Sequence, residues 1–202
     1  MSNIGLFYVG AVLMVNGVML LGWVSPRGAA PLNLFVGLMQ VFTPTYLVLT
    51  AGGDPAVIQA AAGLYLFGFT YLWVGINALF DLPGHGLGWF SLFVAVAAIA
   101  YAAQSFAADA PVFGIIWVSW AVLWMLFFLV LGLERTGLTR ITGTVALVEG
   151  VLTAALPAWL AMGGSLRESW AVALIGAGVG VALMVGVGWA VRHLKPVAIP
   201  AS

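Results

Sequence analysis

Cysteine is absent from the 202 residues, and histidine occurs only twice, as His85 and His193. No disulfide framework can form, and the His, Cys and carboxylate clusters that hold metal ions are missing, so no metal and no cofactor are expected. Charge is scarce too: charged residues are 6% of the chain, against roughly a quarter of an average soluble domain. Six Lys and Arg balance six Asp and Glu, for a formal net charge of zero. So few charges cannot cover a water-facing surface, and no basic face exists to follow a nucleic-acid backbone, which excludes a nucleic-acid partner. What the chain has in quantity is apolar length, with 64% hydrophobic residues and a mean hydropathy of +1.17.

Each bilayer crossing takes about 20 mostly apolar residues, and the chain has room for seven. Turn and charge punctuation separates runs near 4–23, 31–51, 56–80, 87–106, 111–133, 141–162 and 169–191. The breaks are Ser25-Pro26-Arg27-Gly28, Gly52-Gly53-Asp54-Pro55, Asp81-Leu82-Pro83-Gly84, Asp109-Ala110-Pro111, Glu134-Arg135-Thr136-Gly137 and Gly163-Gly164-Ser165. Barrel strands would alternate over about ten residues, whereas these runs are continuous, so the backbone must pair within helices. The expected fold is a single all-α bundle of about seven transmembrane helices in the inner (plasma) membrane. Arg27, Arg135, Arg140, Arg192 and Lys195 fall on one side of the alternating gaps and Arg167 alone on the other. The positive-inside rule then predicts an external N-terminus and a cytoplasmic C-terminus. The first run has no Lys or Arg before it, so it is expected to stay as a span and not be removed as a signal. In the last run Gly176, Gly178, Gly180, Gly186 and Gly188 predict close helix packing.

Glu149 is the one acid placed near the middle of a span, where a carboxylate is costly and is by default a functional residue. A plain packing role, with the carboxyl locking two helices, competes with that reading. Thr153 lies one turn on, and Pro157 lacks the N–H that would bond the Thr153 carbonyl. The three oxygens predict an acceptor stripe suited to a solute rich in N–H donors. Trp117, Trp120 and Trp124 share one face of the fifth span at i, i+3 and i+7, and Phe67 and Tyr71 share one face of the third. Such rings usually pack, and Trp23, Trp89 and Trp170 suit the interfacial belt, but Trp120 and Trp124 are too deep for it. Turned inward, they form a flat slot. In the first span Leu6, Val9 and Leu13 line a face with Asn16 following, a pattern that serves a pore wall or a core equally.

These residues resemble the AmiS/UreI family of amide and urea channels. The resemblance rests on Tyr8-Val9-Gly10 through Asn16-Gly17, Leu66-Phe67-Gly68-Phe69-Thr70-Tyr71, Trp89-Phe90-Ser91-Leu92-Phe93-Val94-Ala95, Trp117-x-x-Trp120-x-x-x-Trp124, and Glu149-Gly150-x-Leu152-Thr153-x-x-x-Pro157-Ala158-Trp159-Leu160. They occur in order across the first six spans. The resemblance implies a homo-oligomeric ring, a hexamer in the family's urea channel, with one pore inside each protomer. It also implies that Phe67, Tyr71, Trp120 and Trp124 match aromatic pore residues, Val9 and Leu13 aliphatic ones, and Glu149 the mid-membrane carboxylate. Two departures stand out. The connections near 50–56, 105–111 and 163–169 contain no His, unlike the long external loops of the acid-gated urea channel, so acid gating is not carried over. A seventh span is absent from that channel but suits the amide-transporter branch, where lipid-facing packing or subunit contact is its expected role.

The expected function is a passive channel for small neutral amides and urea, supplying a cytoplasmic amidase or urease, without chemistry on the solute. The alternative is a proton-coupled transporter using Glu149, although no His or second carboxylate lies within the spans to extend a relay. A retinal photoreceptor is excluded because the only lysine, Lys195, lies beyond the last span. An enzyme is not expected, since the spans hold no His/Asp/Ser set or metal cluster.

Overall fold

In the computed structural model, residues 2–193 are described, and they contain helices and connections but no strand. Lys195 lies outside the described residues. The spans are α1 (Ser2–Leu20), α2 (Pro26–Thr50), α3 (Pro55–Phe80) and α4 (His85–Ala107), then α5 (Pro111–Phe127), which continues through a π-helical segment, Phe128–Gly132. The sixth span joins α6 (Thr139–Glu149), a second π-helical segment (Gly150–Ala155) and α7 (Leu156–Met162); the seventh is α8 (Trp170–His193). By length and composition, seven helices are able to cross a membrane.

Proline opens α2, α3 and α5, where its missing N–H costs nothing and its fixed φ suits the first turn. Ser25 Oγ accepts from Gly28 N at 3.0 Å, and Asp54 Oδ1 accepts from Ala56 N at 2.9 Å. The stretch Ser25-Pro26-Arg27-Gly28, expected to be a loop before a span starting at 31, is therefore a cap and first helical turn. Asp81, Asp109 and Glu134 take positive φ values of 50°, 53° and 53° just after α3, α4 and the fifth span. Three of the six acids thus terminate helices in the left-handed region, which Asp81 and Asp109 tolerate better than most side chains.

The bundle is held by close approach of backbones. A Cβ added to Gly10 would lie 2.5 Å from the Gly150 carbonyl oxygen, and one on Gly17 would lie 2.6 Å from Leu147 N. Gly68 faces the Gln40 carbonyl in the same way, and Gly88 lies directly on Gly132. With no hydrophobic drive between helices in lipid, such small-residue contacts supply packing that larger side chains would block. Within the protomer, the glycines of the seventh span do not pack closely against another helix. Nothing lies within 4 Å of a Cβ on Gly176, Gly178 or Gly186, and Gly180 and Gly188 meet only side-chain carbons at 3.8 Å. Only 6% of the most apolar window of α8 is buried, against 28% to 44% in the other six spans. It touches the bundle through Ala173 and Val191, with Arg140 Nη2 donating to the Val191 carbonyl at 2.9 Å. The glycine pattern does not separate the two cases, because helix contact depends on what faces each glycine.

Gly10→Ala is therefore expected to destabilise the protomer by about 1–3 kcal/mol, the usual penalty of overpacking. Gly178→Ala is expected to leave the protomer's stability unchanged or slightly raised, since Ala is the better helix former. Thermal melting of the two purified variants in detergent checks both.

Candidate functional site

Two cavities enter the bundle from opposite ends. One, about 560 Å³, is walled by Leu13, Asn16, Tyr71, Asn77, Ser91 and Trp124 among others, and opens where Pro26, Asp81, Gly84 and Thr139 lie. At this end Arg27 Nη2 pairs with Asp81 Oδ2 at 2.6 Å, and His85 Nε2 meets Glu134 Oε1 at 3.0 Å. The other, about 540 Å³, is walled by Leu6, Gln40, Phe67, Tyr101, Trp117 and Trp120, and opens near Asn3, Val57, Ala108 and Ala110.

A single layer of rings separates them. Phe67 meets Trp120 edge-on at 4.8 Å and Trp124 edge-on at 5.2 Å, and Trp117 lies 5.8 Å away. Trp117 in turn stacks on Tyr101 at 4.6 Å with an 18° tilt. Phe67 and Trp120 thus face the cavity on the Asn3 side, and Tyr71 and Trp124 the cavity on the Asp81 side. Two of the rings are fixed by their indole N–H. Trp120 Nε1 donates to Thr153 Oγ1 at 2.9 Å, and Trp124 Nε1 approaches Thr70 Oγ1 at 3.4 Å. Edge-to-face packing adds roughly 0.5–1.5 kcal/mol per pair beyond area burial, so the layer is a defined wall.

The polar residues are arranged differently from the expected stripe. Thr153 Oγ1 donates to the Glu149 carbonyl at 2.6 Å while accepting from Trp120, so the hydroxyl is engaged in holding the indole. Leu156 N donates to the Val151 carbonyl, a five-residue spacing. Pro157, which has no N–H, falls where this π-helical segment returns to α-helix. Glu149 is 2% exposed, and its Oε2 has no hydrogen-bond partner. Neither cavity wall includes Glu149, Thr153 or Val9. Asn16 reaches a cavity wall but its amide is occupied: Asn16 Nδ2 donates to Asn33 Oδ1 at 2.9 Å, and Asn33 Nδ2 donates back at 2.7 Å. On α1, Leu6 lies at one cavity and Leu13 and Asn16 at the other, with Val9 fully buried between them.

Sequence reasoning missed Gln40, Thr70 and Asn77. Gln40 Oε1, Tyr71 Oη, Asn77 Oδ1 and Glu149 Oε2 are buried and unpartnered. A usable signal existed, since amide side chains within lipid-length spans are expensive unless bonded or functional.

Seven apolar helices enclosing two facing cavities, with unpartnered oxygens in the walls, fit a membrane protein of the channel or transporter class. The chain belongs to the AmiS/UreI family of transporters, whose family model matches residues 1–165. It is 58% identical to a protein of Mycolicibacterium smegmatis described as an amidate substrates transporter, over 92% of this chain and 87% of the relative. It is 52% identical to the transporter protein AmiS2 of Rhodococcus erythropolis, over 94% and 91%. The crystal structure of the Helicobacter pylori urea channel superposes with a TM-score of 0.74 at 34% identity, covering 80% of this chain and 97% of that one. The protein is accordingly a multi-pass protein of the inner membrane.

Replacing Asn16 with Leu strands the buried Asn33 amide and is expected to cost about 1–3 kcal/mol. The double change Asn16→Leu with Asn33→Leu should recover part of that loss, because neither amide is then left alone. A double-mutant cycle on thermal melting measures the coupling.

Proposed function

We propose that the chain is a passive channel for small uncharged amides and urea, with one pore in each protomer. The observation that carries this reading is the pairing of two end-on cavities with a thin aromatic layer between them, bordered by unpartnered oxygen atoms. A flat neutral solute can slip between rings, exchanging water for wall oxygens that accept its N–H groups. An ion would lose hydration that this wall does not replace. The kinship with an amidate transporter and a urea channel supports the same class of permeant. Phe67, Trp120 and Trp124 form the narrowing, Tyr71 and Trp117 flank it, and Leu6, Val9, Leu13 and Asn16 build the opposing wall. Thr153 positions Trp120, and Glu149 supplies the mid-membrane oxygen.

The same reading places the Arg27 and Arg135 end in the cytoplasm, where a soluble amidase or urease would consume the solute, and assembles protomers as a hexameric ring. Acid gating is not part of it, since the connections at the opposite end hold no His. Transport driven by protons through Glu149 is the rival mechanism. Stopped-flow swelling of proteoliposomes separates the two. Urea and acetamide flux is expected to exceed that of empty vesicles, to ignore an imposed proton gradient, and to hold steady from about pH 7 to about pH 5, the range in which His would titrate. Flux equal to that of empty vesicles would reject a channel, and flux that collapses with the gradient would favour the transporter.

Trp124→Ala is expected to thin the ring layer and admit larger amides such as butyramide while the protein still assembles. Glu149→Gln keeps shape and one acceptor oxygen, so it is expected to fold and conduct with an altered ratio of urea to acetamide. Failure of this variant to assemble would make Glu149 a packing residue.

A further inference from the structure

Gln40 has no place in the aromatic layer, yet it occupies its level. It belongs to α2, is 1% exposed, and its backbone is pressed against α3, where a Cβ on Gly68 would lie 2.8 Å from the Gln40 carbonyl oxygen. Gly68 follows Phe67, the ring at the centre of the layer. The side chain ends at the wall of the cavity on the Asn3 side. Its Oε1 has no partner, and Gly5 of α1 makes room for it: a Cβ there would fall on Gln40 Oε1, with Cδ next at 3.2 Å.

The other polar side chains of this cavity are largely committed. Tyr101 Oη donates to the Gln59 carbonyl at 2.7 Å, Gln104 Nε2 donates to Gln59 Oε1 at 3.0 Å, and Ser105 Oγ donates to the Tyr101 carbonyl at 2.8 Å. An uncommitted acceptor in a buried apolar setting carries a standing penalty until something donates to it. A primary carboxamide presents a carbonyl oxygen and an N–H on one edge. That edge matches the same edge of a second carboxamide or of urea, with one N–H···O bond in each direction.

We propose that Gln40 is a specificity-determining residue, whose carboxamide turns out of the Gly5 notch and pairs edge-to-edge with the carboxamide or urea edge of the solute beside the ring layer. This rests on the channel reading above and adds the group that tells a primary amide from a solute of similar width. The paired solute gives up water while that edge stays hydrogen-bonded, just before it meets rings that offer no such bonds. The Gly5 gap lets the unpaired amide rest at the wall, so it does not plug the cavity.

The test compares acetamide with N-methylacetamide, whose trans N–H and C=O point in opposite directions and cannot form the two-bond pair. Swelling rates are measured in proteoliposomes containing the full chain. Gln40→Met preserves length and removes the amide. Acetamide flux is expected to fall about fivefold for each net hydrogen bond lost, while N-methylacetamide flux changes little, so their ratio collapses toward one. Gly5→Ala should shift the ratio in the native background and leave it unchanged when combined with Gln40→Met, since the added methyl acts on the Gln40 amide. An unaltered ratio in Gln40→Met, or equal effects of Gly5→Ala in both backgrounds, would overturn the proposal while native flux still upholds the channel. Failure of both Gln40→Met and Gln40→Leu to assemble would assign the residue to packing and overturn it as well. Native protein without flux would instead remove the channel reading.

Discussion

The approach of α1 to the sixth span, backbone against backbone, is the contact on which the site depends. Gly10 faces the Gly150 carbonyl, and a Cβ on Gly150 would lie 2.8 Å from the Gly10 carbonyl, so neither position has room for a side chain. Glu149 is thereby carried into the interior beside α1, and the chain enters a π-helical segment immediately after it. The wider turn displaces the register, as such segments commonly do at functional positions. It leaves Thr153 where its hydroxyl meets Trp120 of α5. One close contact between glycines thus sets the distance between a buried acid on one helix and the ring layer on another.

Composition and periodicity made the helices and the rings legible. Seven apolar runs, a face of three tryptophans and the spacing of Phe67 and Tyr71 are local patterns, and the helix converts them into neighbours without help from the rest of the chain. What stayed illegible depends on partners across the bundle. The amide of Asn16 looks free until Asn33 is found opposite it, and Thr153 looks like an open acceptor until the π register and Trp120 are in place. Pro26 reads equally as a turn or as the first residue of a helix, and Ser25 decides by capping. Glycine was the most misleading residue: the closely packed ones are scattered singly through the first six spans, while the conspicuous row in α8 faces open space within the protomer.

That contrast bears on the division of labour along the chain. The family model ends at residue 165, and the urea channel structure is almost wholly covered by 80% of this chain, so the unit shared with that family is the first six spans. No residue of α8 lines either cavity. It lies against α5 and α6 and is fixed at its C-terminal end by Arg140. Its exposed apolar face, with Leu174, Ile175, Val181 and Val185 outward, can sit in lipid at no cost, because lipid tails solvate it as well as another helix would. Within the protomer this span is peripheral to both cavities.

Selection inside such a pore follows from what the wall leaves unpaired. A purely apolar slit would pass whatever is thin and hydrophobic, but the bilayer already does that without a protein. Fully satisfied polar residues would behave like an apolar wall, since their hydrogen bonds are spent. The useful intermediate is a wall mostly of rings with a few buried oxygens left without donors: Gln40 Oε1, Tyr71 Oη and Asn77 Oδ1. A buried acceptor without a donor costs roughly 1–3 kcal/mol, and on the channel reading a solute that donates N–H groups recovers part of that cost in passing. In the channel proposed above, that recovery lowers the barrier for amides relative to solutes without N–H donors. The folded protein tolerates that cost because backbone packing at Gly10, Gly68 and Gly150 holds the helices in place independently of these groups.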